Sequence, residues 1–136
     1  MPILIAGGDS FTWGSELPDQ HMDHLENKPS DLTWSSLIAK NNNWHYNCVA
    51  KPGCGNTTIT RRVLQEIKKI EQRKDFQEEI YVVVMWTFTH RTEIRLRDDI
   101  TKNKNIANDT LQSARYDIDD YWINFNAWHG LTFDEK

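Results

Sequence analysis

Short apolar runs and helical stripes alternate from Pro2 to Trp86. Pro2–Ala6 is a continuous apolar run closed by Gly7–Gly8, the pattern of a strand buried on both faces of a parallel sheet. Ser15–Ser30 is polar and aperiodic, with Pro18 and Pro29, and reads as a long loop. Ser30 or Asp31 is placed to cap a helix over Leu32–Lys40, with Trp34, Leu37 and Ile38 on one face. Asn41–Asn43 ends it, and Trp44–Ala50 reads as a second strand. Lys51–Gly55 is a Pro/Gly turn with Asn56 as the expected N-cap. Ile59, Val63, Ile67 and Ile70 then recur at helical spacing within Thr57–Arg73. Ile80–Trp86 is the clearest strand, β-branched and apolar on both faces.

The order β-α-β-α-β implies parallel strands joined by helical crossovers. The expected fold class is therefore α/β: a three-layer sandwich around a short parallel sheet. After Thr92 the chain turns charged and polar. Ile118, Trp122 and Phe125 recur at i, i+4, i+7, so a helix is expected within Asn105–Trp128, making 94–136 a helical aromatic tail. Trp34 and Trp86 are expected in the core, and Trp122, Phe125 and Trp128 on a packing face.

Length and composition narrow the function. A chain of 136 residues suggests one domain. Net charge is −4 with no basic patch, which argues against nucleic acid as a partner. The basic pairs Arg61–Arg62 and Lys68–Lys69 read as a solvated helix face. Cys48 and Cys54 have no metal-site spacing, and two buried free thiols in a reducing compartment are expected. Met1–Gly8 lacks a basic leader, and no stretch is long and apolar enough to span a membrane, so a cytoplasmic protein without membrane contact is expected. His21 and His24 with Asp19 and Asp23 make a metal site conceivable, but a polar loop is the stronger reading, and no metal is expected.

The chemistry-bearing segment is Gly7-Gly8-Asp9-Ser10-Phe11-Thr12-Trp13-Gly14. It sets a Ser just past the carboxyl end of the first strand, where open α/β sheets bind ligands. Backbone N–H groups on such a turn can stabilise an oxyanion. An Asx or Ser turn that merely closes the connection is the bland alternative.

Ile5-Ala6-Gly7-Gly8-Asp9-Ser10-Phe11-Thr12-Trp13-Gly14 resembles the first sequence block of the SGNH (GDSL-type) hydrolases. The resemblance implies that Ser10 is the nucleophile and Asp9 fixes its turn. Gly53-Cys54-Gly55-Asn56-Thr57-Thr58 stands where the second block belongs, which implies Gly55 as an oxyanion-hole N–H donor at a point where a side chain would crowd the substrate. The third block, Gly-x-Asn-Asp, is replaced by Thr87-Phe88-Thr89-His90, so Thr89 stands in for the donor Asn. Trp13, Asn56, His90 and Arg91 are the candidate substrate contacts. Arg91 offers a guanidinium to an anionic group, or pairs on the surface with Glu93 or an Asp. The variant around Arg91 also resembles SGNH-like proteins of bacterial viruses, which would place the chain in a host cytoplasm.

The family's Asp-x-x-His is missing after His90, where His129 is the only histidine. The resemblance thus covers roughly residues 2–93. It implies strand order 2-1-3, a flavodoxin-like start, without strands 4 and 5, in a single SGNH-like domain over 1–136 that is incomplete at its C-terminus. Strand 80–86 would then be an apolar edge, to be covered by the tail, by another copy or by a partner. Two functions are expected: hydrolysis of a small-molecule ester by Ser10 without a cofactor, or a catalytically silent SGNH-like binding or assembly module. An unusual base, from His21, His24 or a neighbouring chain's His129, is part of the first reading.

Overall fold

A computed structural model describes residues 1–20, 28–95, 115–117 and 122–126. The element order is β1 (Ile3–Gly7), α1 (Ser10–Trp13), α2 (Trp34–Asn42), β2 (His45–Cys48), α3 (Asn56–Glu71), β3 (Ile80–Val84), β4 (Arg91–Arg95), β5 (Arg115–Asp117) and β6 (Trp122–Asn126). The chain is α/β. β1, β2 and β3 form a parallel sheet in the order 2-1-3, as expected.

β1 is central and wholly buried, which explains why it reads as an uninterrupted apolar run. Ile3 faces His45 and Ile80, and Ala6 faces Cys48 and Val83. Ile3 and Ile5 join Val49, Val63 and Ile70 in the core, with Ile67, Phe76, Ile80 and Val84 packed against it. The helical stripe of α3 supplies this side: Ile59, Val63 and Ile70 are buried, while Lys68 and Lys69 complement the negative end of the helix dipole. Successive β2 residues serve different helices. Tyr46 Oη hydrogen-bonds Ser35 Oγ of α2 at 2.9 Å, and Asn47 Nδ2 donates to Glu66 Oε1 of α3 at 2.8 Å.

Both helix caps differ from the expected ones. Thr33, not Ser30 or Asp31, caps α2, its Oγ1 accepting from the Ser36 N–H at 3.2 Å. Ser30 is buried and donates instead to the Asp19 carboxylate, which also accepts from the Asp31 N–H at 2.7 Å. The start of the helix moves inward because the earlier polar residues are used to close the loop. α3 begins at Asn56 after Gly55, with no side-chain cap, because the Asn56 amide is drawn elsewhere.

The segment expected as a helical tail is extended where it is described. β4, β6 and β5 form an antiparallel sheet in that order, with Ile94 opposite Ile123 and Tyr116 opposite Ile123. The i, i+4, i+7 spacing of Ile118, Trp122 and Phe125 competes with a strand period in Trp122-Ile123-Asn124-Phe125-Asn126, and strand pairing decides between them. Among the described residues three further strands occur, and none of them joins the parallel sheet. Trp86 is not core either: it is 59% exposed, since β3 stands at the edge of its sheet. Trp34 is half-buried.

Candidate functional site

The polar residues gathered beyond the carboxyl end of the parallel sheet come from the connections that follow its three strands. Asp9 ends the β1 turn and caps α1, its Oδ1 accepting from the Phe11 N–H at 3.1 Å. Its other oxygen, Oδ2, accepts from Thr87 Oγ1 at 2.7 Å and from Arg91 Nη1 at 3.1 Å. Arg91 Nη1 also lies 2.9 Å from Thr87 Oγ1, closing a triangle. The ion pair is sequestered, with side chains 4% and 15% exposed for Asp9 and Arg91. Among the described residues Arg91 Nε is buried with no hydrogen-bond partner, and the guanidinium lies 5.1 Å from the centre of the Phe88 ring.

This arrangement fixes the backbone that carries Ser10. Asp9 is held by a neighbouring N–H and by two groups from the far side of β3, so the turn cannot rotate without breaking a buried ion pair. Gly8 belongs to the same lock: a Cβ there would lie 2.1 Å from Thr12 Oγ1. Ser10 itself is half-buried at the first position of α1, and among the described residues its hydroxyl makes no hydrogen bond.

The second connection packs against the third. Asn56 and Thr87 exchange two hydrogen bonds: Thr87 N–H donates to Asn56 Oδ1 at 2.8 Å, and Asn56 Nδ2 donates to Thr87 O at 3.2 Å. Gly55 is buried, and a Cβ on it would lie 2.6 Å from the Arg91 carbonyl oxygen. The backbone of the Arg91 turn therefore requires glycine here, a reason that the sequence does not show. Cys54 Sγ donates to Gly8 O at 3.4 Å. Burial and then the Asp9 charge push the Cys54 thiol up to about 11. Both cysteines are free thiols.

Of the expected site residues, Asp9, Ser10, Gly55, Asn56 and Arg91 come together. Thr89 and His90 are exposed, and His90 stacks on Phe88 with ring centres 5.4 Å apart. Trp13 is half-buried at the end of α1. Arg91 is neither a surface pair nor an open anion contact, because its charge is matched inside by Asp9. Thr87 was missed. Position by position, Thr89 matches the family's Asn, yet Thr87 is the threonine that reaches the Ser10 turn. Nothing in the sequence marks it, since Asn56 and Asp9, which it joins, lie 31 and 78 positions away.

His45 starts β2, at the opposite end of the sheet from Ser10, whereas His90 follows β3 on the same end. The cluster of His21, Asp23 and His24 lies outside the described residues, as does His129. Among the described residues no group of three metal-ligating side chains occurs, and no helix is long and apolar enough to cross a membrane. In comparisons with known proteins, no family model, no curated protein and no solved structure matches this chain.

Proposed function

We propose that the chain is a serine ester hydrolase of the SGNH type, or a shortened derivative of one, acting through Ser10 on a small-molecule ester. The observation that carries the reading is the Ser10 turn. A half-buried hydroxyl without a hydrogen bond among the described residues follows the carboxyl end of the central strand, on a backbone locked by Asp9, Thr87 and Arg91. Tyr46 and Asn47, reaching α2 and α3 from alternate faces of β2, support the three-layer sandwich that such a site uses.

In this mechanism Ser10 Oγ attacks the acyl carbonyl carbon and the alkoxide leaves. The Ser10 and Gly55 N–H groups hold the oxyanion, and water then releases the acid from the acyl-enzyme. Asp9, paired with Arg91, positions the turn and takes no proton. A base must accept the Ser10 proton. His90 is the described histidine on that end of the sheet. Acyl transfer of this kind needs no cofactor, and the two free thiols are in keeping with a cytoplasmic setting.

The test is labelling of the full chain with a fluorophosphonate, alongside Ser10→Ala and His90→Ala. Labelling lost in Ser10→Ala supports the nucleophile, and its loss in His90→Ala as well assigns the base. A folded chain that does not label favours the second reading, a silent SGNH-like assembly module, to which the exposed apolar edge of β3 lends support.

A further inference from the structure

Among the described residues, the side of β3 that faces away from β1 has no strand beside it. Glu79 O and Met85 N bond to β1. By the alternation of a parallel ladder, Ile80, Val82 and Val84 therefore turn their N–H and C=O groups outward. The side chains along this edge are apolar on both faces of the sheet. Tyr81 and Val82 are 41% and 42% exposed, and Met85, Trp86 and Phe88 are exposed beyond them. From Ile80 to Phe88 there is no charge, proline or glycine, the devices that ordinarily blunt an open edge.

We infer that this edge pairs with the same edge of a second copy of the chain, β3 against β3 antiparallel across a two-fold axis, joining the two parallel sheets into one. The distribution of charge selects a second copy and sets the register. Acidic residues precede the strand (Asp75, Glu78, Glu79), and none lies between Ile80 and Thr92. With Val83 on the axis, Val82 lies opposite Val84, Ile80 opposite Trp86, Glu79 opposite Thr87 and Glu78 opposite Phe88. Each acidic end then meets a stretch, residues 80–92, that carries no acidic residue. Sliding the strands towards their starts would bring Glu78 and Glu79 of the two copies face to face, and like charges directly opposite repel. Sliding the other way would shorten the apolar overlap. The pairing is self-complementary and closed, as a two-fold contact must be. It leaves the two Ser10 turns at opposite ends of the joined sheet, so it stands whether or not Ser10 is a nucleophile.

The test is the mass of the full chain by analytical ultracentrifugation over a dilution series, with two variants. The wild type is expected at twice the 16.0 kDa chain mass, and Val82→Lys at the chain mass with an unchanged circular dichroism spectrum. Val83→Cys is expected to form a covalent dimer on mild oxidation that the wild type does not form, because facing residues at the axis come within disulfide reach. A wild type of single chain mass overturns the inference, as does a mass that keeps rising with concentration, or a Val82→Lys chain that folds and stays dimeric. If Val82→Lys fails to fold, the other variant decides: a dimeric Val83→Cys protein that does not cross-link on oxidation overturns the pairing.

Discussion

β2 and β3 flank the same buried strand in the same direction, yet the chain treats them differently. Every residue of β2 is polar or a cysteine, and Tyr46 and Asn47 are tied by hydrogen bonds to α2 and α3. Just past β2, Val49 O accepts from Arg62 Nε at 2.8 Å. β3 is apolar throughout, and its body is held by the ladder to β1 and by packing under α3, with Tyr81 stacked on Trp44 at 4.3 Å. Its polar anchoring is displaced to its exit, where Thr87 and Arg91 meet Asn56 and Asp9. One edge is finished by its own helices, while the other is clamped at one end and left apolar along its length. A polar edge can face water, whereas an apolar edge asks for a strand.

The clamp offers the strongest way to break this contrast. Arg91→Ala leaves the Asp9 carboxylate buried without its counter-charge, which is expected to cost about 3–5 kcal/mol. Urea denaturation measures it, and a loss under about 1 kcal/mol, the range of an exposed pair, would mean that the exit of β3 is not anchored there. Asn56→Ala removes both bonds to Thr87 and is expected to cost about 1–3 kcal/mol. If Asn56 and Arg91 hold one unit through Thr87, the double variant loses less than the sum of the two, which a double-mutant cycle reads directly.

The smallest effect concerns β2. Burial pushes the Tyr46 phenol up to about 12, above its ordinary value of 10.0, so the fold favours the neutral form. That contribution is complete below pH 10 and is lost as pH rises towards about 12. Tyr46→Phe is expected to start less stable, having lost its bonds to Ser35 and Thr33, and to show a shallower decline across that window in denaturation at stepped pH. Equal declines in the two proteins would show that Tyr46 is not held in a protected bond, and the contrast with β3 would weaken.

How far the sequence speaks varies by element. β1, β3 and α3 were legible because a strand buried on both faces must be continuously apolar, and a helix packed on one side must repeat its apolar residues every three to four positions. The helix caps were less legible: Ser30, Asp31 and Thr33 are all competent, and only the use of Ser30 by Asp19 leaves Thr33 to start α2. The segment after Thr92 read as helix on three apolar positions, although Trp122–Asn126 also alternates like a strand. Local pattern cannot rank two periods that a partner strand decides. At the site, Asp9, Ser10 and Gly55 were singled out by the resemblance to the SGNH sequence blocks, and Asn56 by its place at the start of a helix.

By itself, then, the sequence determined the α/β alternation, the burial of β1 on both faces and the Ser10 turn beyond it. These rest on periodicity and turn chemistry, which act between near neighbours. The tertiary structure decided the rest: that Thr87, not Thr89, reaches Asp9, that Arg91 is matched inside rather than offered to solvent, and that Gly55 must be small because the Arg91 backbone passes 2.6 Å from where its Cβ would be. These depend on how the connections that follow three parallel strands converge at one end of a sheet. That convergence is a property of the folded chain, because the residues that meet there are separated by up to 82 positions.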